Sequence, residues 1–217
     1  MTEKIISVKK AVKIFKEHTV LNDVSLELEK GKIYGIVGRN GSGKTVLFKC
    51  ICGFMPLTSG EISVNGKIVG KEENIPKDIG VIIETPGFIP NYSGYKNLSF
   101  LASINKKIKK DDILETLRIV GLDSKSKKHV GKYSLGMRQR LGIAQAIMEN
   151  PDILILDEPM NGLDNDGVQD MRKLFLNLKE QGKTILLASH NREDIQVLCD
   201  EVYEMDKGNL RKSNFSA

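Results

Sequence analysis

Gly38-Arg39-Asn40-Gly41-Ser42-Gly43-Lys44-Thr45 follows the strand-like run Ile33-Tyr34-Gly35-Ile36-Val37. The octet fits G-x-x-x-x-G-K-[ST] in the setting that pattern requires, a strand before it and a helix after it. Glycines at those places let the backbone wrap closely around a phosphate with its N–H groups turned inward. The helix that follows presents its positive end. Lys44 is then placed to neutralise β/γ-phosphate charge, and the Thr45 hydroxyl to hold Mg²⁺. Taken alone, the loop specifies a nucleotide and not a task.

Upstream, Val24-Ser25-Leu26-Glu27-Leu28-Glu29 alternates apolar and polar residues, the pattern of a half-buried antiparallel strand. Glu61 to Val69 reads as a strand pair turned at Asn65-Gly66. Downstream the pattern changes. Ile153-Leu154-Ile155-Leu156 and Thr184-Ile185-Leu186-Leu187-Ala188 are unbroken apolar runs, suited to central parallel strands covered on both faces. Between the two halves lies a helical region, roughly Tyr95 to Asn150, in which Asp111-Asp112 can cap a helix running through Val120 to Gly121. Val168, Met171, Leu174, Phe175 and Leu178 mark the buried stripe of a later helix stopped by Gly182. These readings predict an α/β nucleotide-binding core, an N-terminal antiparallel sheet and an inserted helical subdomain.

The 217 residues suit one core with a satellite subdomain. Lys plus Arg number 33 against 28 Asp plus Glu, an excess too small to choose a partner by charge. No window approaches 18 consecutive apolar residues, and the N-terminal residues lack a secretory signal, so a cytoplasmic protein is expected. Cys50 and Cys52 stand two apart in an expected helix, on different faces, and read as small apolar residues and not as a metal clamp. The basic runs Lys106 to Lys110 and Lys125 to Lys128 read as solvated faces.

From Lys132 the chain runs Lys-Tyr-Ser-Leu-Gly-Met-Arg-Gln-Arg, and Ile153 to Leu156 leads into Asp157-Glu158-Pro159. With these stretches the chain resembles the ABC transporter ATPases, a P-loop NTPase fold, over essentially its whole length. The resemblance implies a single domain, 1–217. Its core with the antiparallel sheet would span about 1–87 and 151–217, and its helical subdomain about 88–150. It implies ATP and Mg²⁺ as ligands. In such relatives Gly38, Arg39, Asn40, Gly41, Ser42, Gly43, Lys44 and Thr45 cradle the phosphates, and Phe15 occupies the place of the adenine-stacking aromatic. Thr45 and Asp157 support Mg²⁺, Glu158 polarises the attacking water, and His190 touches the γ-phosphate. Ser134 and Gly136 stand where the family signature, usually Leu-Ser-Gly-Gly-Gln, meets ATP held by a second protomer. Asp164, in Asn161-Gly162-Leu163-Asp164, speaks across that interface. The implied partners are a membrane-embedded permease and a second copy of the chain or a homologous ATPase, joined head to tail. The implied location is the inner face of the plasma membrane, and no nucleic acid is expected.

The chain also departs from the family pattern. Leu135 and Met137 replace the usual second glycine and glutamine of the signature. Glu84, in Glu84-Thr85-Pro86-Gly87-Phe88, stands where most relatives carry a glutamine that reaches Mg²⁺ and water. A carboxylate is a better Mg²⁺ ligand than an amide, yet adds negative charge beside the phosphates. Glu84 is therefore expected as a catalytic and metal-binding residue. Both motifs resemble the bacitracin-type and lantibiotic-immunity branch, which exports antimicrobial peptides. The absence of an appended domain after Met205 favours an exporter; the rival readings are a soluble ABC ATPase, as in cluster assembly, and an importer ATPase. Phe88, Tyr92 and Tyr95 are candidates to line a groove for the permease.

Overall fold

The computed structural model describes residues 4–84 and 87–213. Two long strands come first, β1 (Lys4–Phe15) and β2 (His18–Glu29), paired antiparallel with Phe15 opposite His18. Next come β3 (Ile33–Val37), α1 (Lys44–Ile51) and the hairpin β4 (Ser59–Val64) and β5 (Lys67–Ile68). The hairpin turns at Asn65-Gly66, as its sequence predicts. β6 (Ile79–Ile82) precedes three helices, α2 (Gly94–Asn105), α3 (Lys110–Ile119) and α4 (Leu135–Ile147). The chain then alternates through β7 (Ile153–Asp157), α5 (Asn165–Glu180), β8 (Thr184–Ala188) and α6 (Arg192–Leu198), before the hairpin β9 (Glu201–Asp206) and β10 (Asn209–Lys212).

Two sheets result, ordered β2-β1-β4-β5 and β10-β9-β3-β8-β7-β6. β9, β3, β8, β7 and β6 are mutually parallel, and β10 is an antiparallel edge. The period of two along each strand divides the core. Ile33, Leu154, Leu156, Ile185 and Leu187 face the side covered by α4 and α5. Tyr34, Ile36, Ile153, Ile155, Leu186 and Ala188 face α1 and the antiparallel sheet. β8 is buried along its whole length, which is why its sequence is apolar at every position but its first.

One cap differs from its sequence reading. α3 is capped at Lys109 and not by Asp111 or Asp112; Asp112 sits in the first turn, where its Oδ2 accepts the Lys109 N–H at 2.7 Å. The helix still ends as expected, with Gly121 in the left-handed region at φ 75°. Among the described residues no helix is long and apolar enough to cross a membrane.

Candidate functional site

β3, β7 and β8 end along one edge of the parallel sheet, where open α/β sheets hold ligands. β3 runs into the Gly38–Thr45 loop, β7 ends on Asp157, and β8 leads to Ser189-His190. Gly38, Gly41 and Gly43 have φ of 158°, 77° and 115°, a region closed to most side chains, and a Cβ on Gly38 would overlap the Met205 carbonyl oxygen. Lys44 Nζ folds back over the loop to the carbonyls of Gly38 (2.7 Å) and Arg39 (3.2 Å). Thr45 Oγ1 donates to Asp157 Oδ2 at 2.6 Å. The buried Ser42 hydroxyl has no hydrogen-bond partner among the described residues, so the loop retains a spare polar group.

A cavity of about 500 Å³ opens over this loop. Residues 40–45, Glu84, Asp157 and Glu158 line it. Glu158 adopts φ 50°, uncommon for a residue with a side chain and enriched at functional sites. Its N–H is held by the Ala188 carbonyl at 2.9 Å, and its Oε2 lies 2.8 Å from His190 Nδ1. The carboxylate and the imidazole thus meet across the ends of two adjacent strands.

Glu84 also has positive φ, 62°, and lines the same cavity. Its carboxylate, however, is engaged by Lys49 Nζ of α1 at 2.6 Å, and not by the Thr45–Asp157 pair. Thr85 and Pro86 of this segment lie outside the described residues.

Ser134 caps α4, its hydroxyl accepting the Met137 N–H at 3.1 Å. Asp164 caps α5 through the Gly167 N–H at 2.9 Å. Leu135 lies over Gly162 so closely that a side chain at 162 would overlap it, while Gly136 faces the Gly162 carbonyl. The start of α4 and the Asn161–Asp164 loop therefore pack as one surface. Of the expected residues, Phe15, Gly38, Arg39, Ser134, Gly136, Asp164 and His190 do not line the loop cavity. Gly38, Arg39 and His190 border a neighbouring one of about 710 Å³. Phe15 sits at the end of the β1–β2 hairpin, 40% exposed, with Lys13 Nζ 5.0 Å from its ring centroid.

Leu135 and Asn161 also line the cavity, joined by four residues that the sequence reading did not single out: Val20, Val46, Arg138 and Gln139. Leu135, Arg138 and Gln139 are spaced to share one face of the helix that Ser134 caps, so that signal was present once a helix was expected there. Gln139 Nε2 donates to the carbonyls of Glu158 (3.3 Å) and Pro159 (2.8 Å), tying α4 to the turn after β7.

Of the three aromatic residues, Phe88 and Tyr95 are partly buried against the main core, and the rings of Tyr92 and Phe100 lie 5.3 Å apart, tilted by 60°. A separate open groove between the helical region and β6 is lined by Phe54, Ile75, Leu101 and Ile104. Cys50 and Cys52 are buried, and desolvation pushes their thiols up to about 11 and about 12. No group of three or more His, Cys, Asp or Glu suited to a metal occurs among the described residues.

Comparison with known proteins matches residues 21–161 to the ABC transporter family. The chain is 44% identical to the uncharacterised ABC transporter ATP-binding protein YybJ of Bacillus subtilis, over 96% of both chains. It is 42% identical to the bacitracin transport ATP-binding protein BcrA of Enterococcus faecalis, over 96% of this chain and 68% of that protein. Its fold matches a solved dimer of the ATP-binding cassette MJ0796, in a post-hydrolysis state bound to ADP and Pi, with TM-score 0.86 at 21% identity, covering 98% and 99% of the two chains. The phosphate loop, the Asp157-Glu158 strand end and these relatives together establish that the chain belongs to the ABC transporter family as its ATP-binding, ATP-hydrolysing subunit.

Proposed function

We propose that two copies of this chain, or one copy and a homologous ATPase, close head to tail around ATP and drive a membrane permease. The observation that carries this reading is the meeting of Lys44, the Thr45–Asp157 pair and the Glu158–His190 pair at the ends of three parallel strands. Lys44 and the loop N–H groups hold the phosphates. Glu158 orients and polarises the attacking water, and His190 holds the Glu158 carboxylate in place while reaching toward the γ-phosphate. Ser134 and Gly136 stand on a surface outside this chain's own cavity, as residues that complete a partner's site would. Phe15 stacks on the adenine, and Asp164 contacts the partner. Catalysis is positioning and electrostatics, with no covalent bond from protein to phosphate.

Thr45 and Asp157 offer two hard oxygens 2.6 Å apart, a donor set suited to Mg²⁺ completed by phosphate and water. When bound there, Mg²⁺ would neutralise charge on the β- and γ-phosphate oxygens. Glu84, if released from Lys49, would add a further carboxylate oxygen to that donor set.

We assign residues 1–217 to one ABC ATPase domain with a helical subdomain at about 88–150, peripheral to the inner face of the membrane through its permease. Glu84, the Tyr133–Met137 signature and the likeness to a bacitracin transport protein support export of an antimicrobial peptide or similar amphipathic compound. The test is Glu158→Gln: bound ATP, lost turnover and a dimer on size exclusion are expected, and undiminished turnover would sink the role given to Glu158. Affinity purification from membranes should bring down a six-helix permease; a chain that purifies without membrane protein favours the soluble reading.

A further inference from the structure

Arg172 interrupts the apolar stripe of α5. It lies four residues after Val168 and three before Phe175, on the face turned to the core, and is only 3% exposed. A guanidinium stays charged in proteins, so burial at this place demands partners. Its Nε and Nη2 both donate to Asp194 Oδ1, at 2.9 and 2.5 Å, and its Nη1 donates to Glu193 Oε1 at 2.8 Å.

The network continues away from α5. Asp194, also 3% exposed, accepts the Ser189 hydroxyl on its other oxygen at 3.2 Å. The buried Ser189 Oγ in turn accepts the Asn191 N–H at 3.1 Å, and Asn191 Oδ1 caps α6 at the Glu193 N–H. Ser189 and Asn191 are the two neighbours of His190. The backbone on both sides of that histidine is therefore tied to one buried guanidinium. The imidazole itself is 71% exposed, and its Nδ1 meets the Glu158 carboxylate at 2.8 Å.

We propose that Arg172 is a positioning residue for ATP hydrolysis. Through Asp194 and Ser189 it fixes the loop that aims His190 at the Glu158 carboxylate. The inference rests on the reading of His190 as a residue of the hydrolytic site. Because α5 is capped by Asp164, the same guanidinium links the helix behind the Asn161–Asp164 loop to the histidine. A purely structural ion pair would end in the core; this one ends on the two residues flanking a reactive side chain.

Ser189→Ala and Arg172→Lys test the proposal in the full chain, by steady-state ATPase assay, ATP titration and histidine NMR. The chain has three histidines, His18, His129 and His190, so each imidazole signal can be followed. Both variants should lower kcat by about tenfold, as a slightly misplaced catalytic group does, with KM for ATP nearly unchanged because the phosphate loop is untouched. The His190 signal should move while those of His18 and His129 stay. Ser189→Ala leaves the guanidinium pair intact, so it decides the matter if Arg172→Lys fails to fold. Unchanged kcat in Ser189→Ala, or a lowered kcat with an unmoved His190 signal, overturns the proposal. His190→Ala is the control: wild-type turnover there removes His190 from the hydrolytic site and the proposal with it. Loss of turnover in His190→Ala beside an intact Ser189→Ala sinks the proposal alone.

Discussion

Lys44 places a positive charge within the phosphate loop, its ammonium resting on two loop carbonyls. Lys44→Ala should abolish ATP binding in equilibrium dialysis, and retained binding would remove Lys44 from the phosphate cradle. Glu84 asks a finer question. Its carboxylate is 64% exposed and paired to Lys49, and exposed pairs contribute about 0–1 kcal/mol, so the contact can open at little cost. Glu84→Gln should shift the Mg²⁺ dependence of ATPase activity or weaken its coupling to transport. Wild-type behaviour in both assays would make the replacement of glutamine functionally neutral. The sequence reading identified Glu84 as unusual through the family resemblance, since most relatives carry glutamine there. It did not contain Lys49, because their contact joins α1 to the segment after β6, 35 residues apart, and arises only when the sheet stacks both above one edge.

Among the elements, α5 was legible in its stripe: Met171 and Phe175 are fully buried, and Val168, Leu174 and Leu178 partly so, at the positions its apolar period marks. Phe175→Ala should cost about 3–5 kcal/mol in urea unfolding, whereas Lys173→Ala on the exposed face should stay within about 0.5 kcal/mol. Equal effects would place the helix in a different orientation. The same period also held an unread signal, since Arg172 falls inside the stripe and a buried charge there requires a network. The start of α3 was misread because Asp111 and Asp112 suit a cap and a first turn equally; which of these roles they take is decided by where the chain leaves α2. Phe88 and Tyr95, partly buried against the core, show the same limit: aromatic residues announce packing, and only the assembled helices decide against what.

At the scale of the molecule, the central sheet separates two cores that share its strands, so the groups buried in them respond together. Tyr34, Cys50, Cys52 and Cys199 all have proton affinities raised by desolvation, Tyr34 to about 12, Cys50 to about 11, and Cys52 and Cys199 to about 12. Unfolded thiols ionise near 9 and unfolded tyrosine near 10. Between those values and about 12 the unfolded chain releases protons that the fold retains, so stability falls as pH rises. Thermal unfolding should therefore show a plateau below pH 9 and a progressive loss above it, and the native thiols should alkylate slowly at pH 8. A melting temperature that holds through pH 11 would contradict the burial of these groups. The α/β class, the antiparallel N-terminal sheet and the helical insertion were all readable from local periodicity. The separation of Ser134 from the chain's own phosphate cavity was not, since it is a property of how α4 packs against β6. That separation leads to the central claim, a site divided between two chains. Lys44→Ala and Ser134→Arg should each be inactive as homodimers, one lacking the phosphate lysine and the other the partner's signature. Mixing the two purified variants creates a dimer in which one site is intact. The account predicts that ATPase activity reappears in the mixture; a mixture no more active than its two components would contradict it.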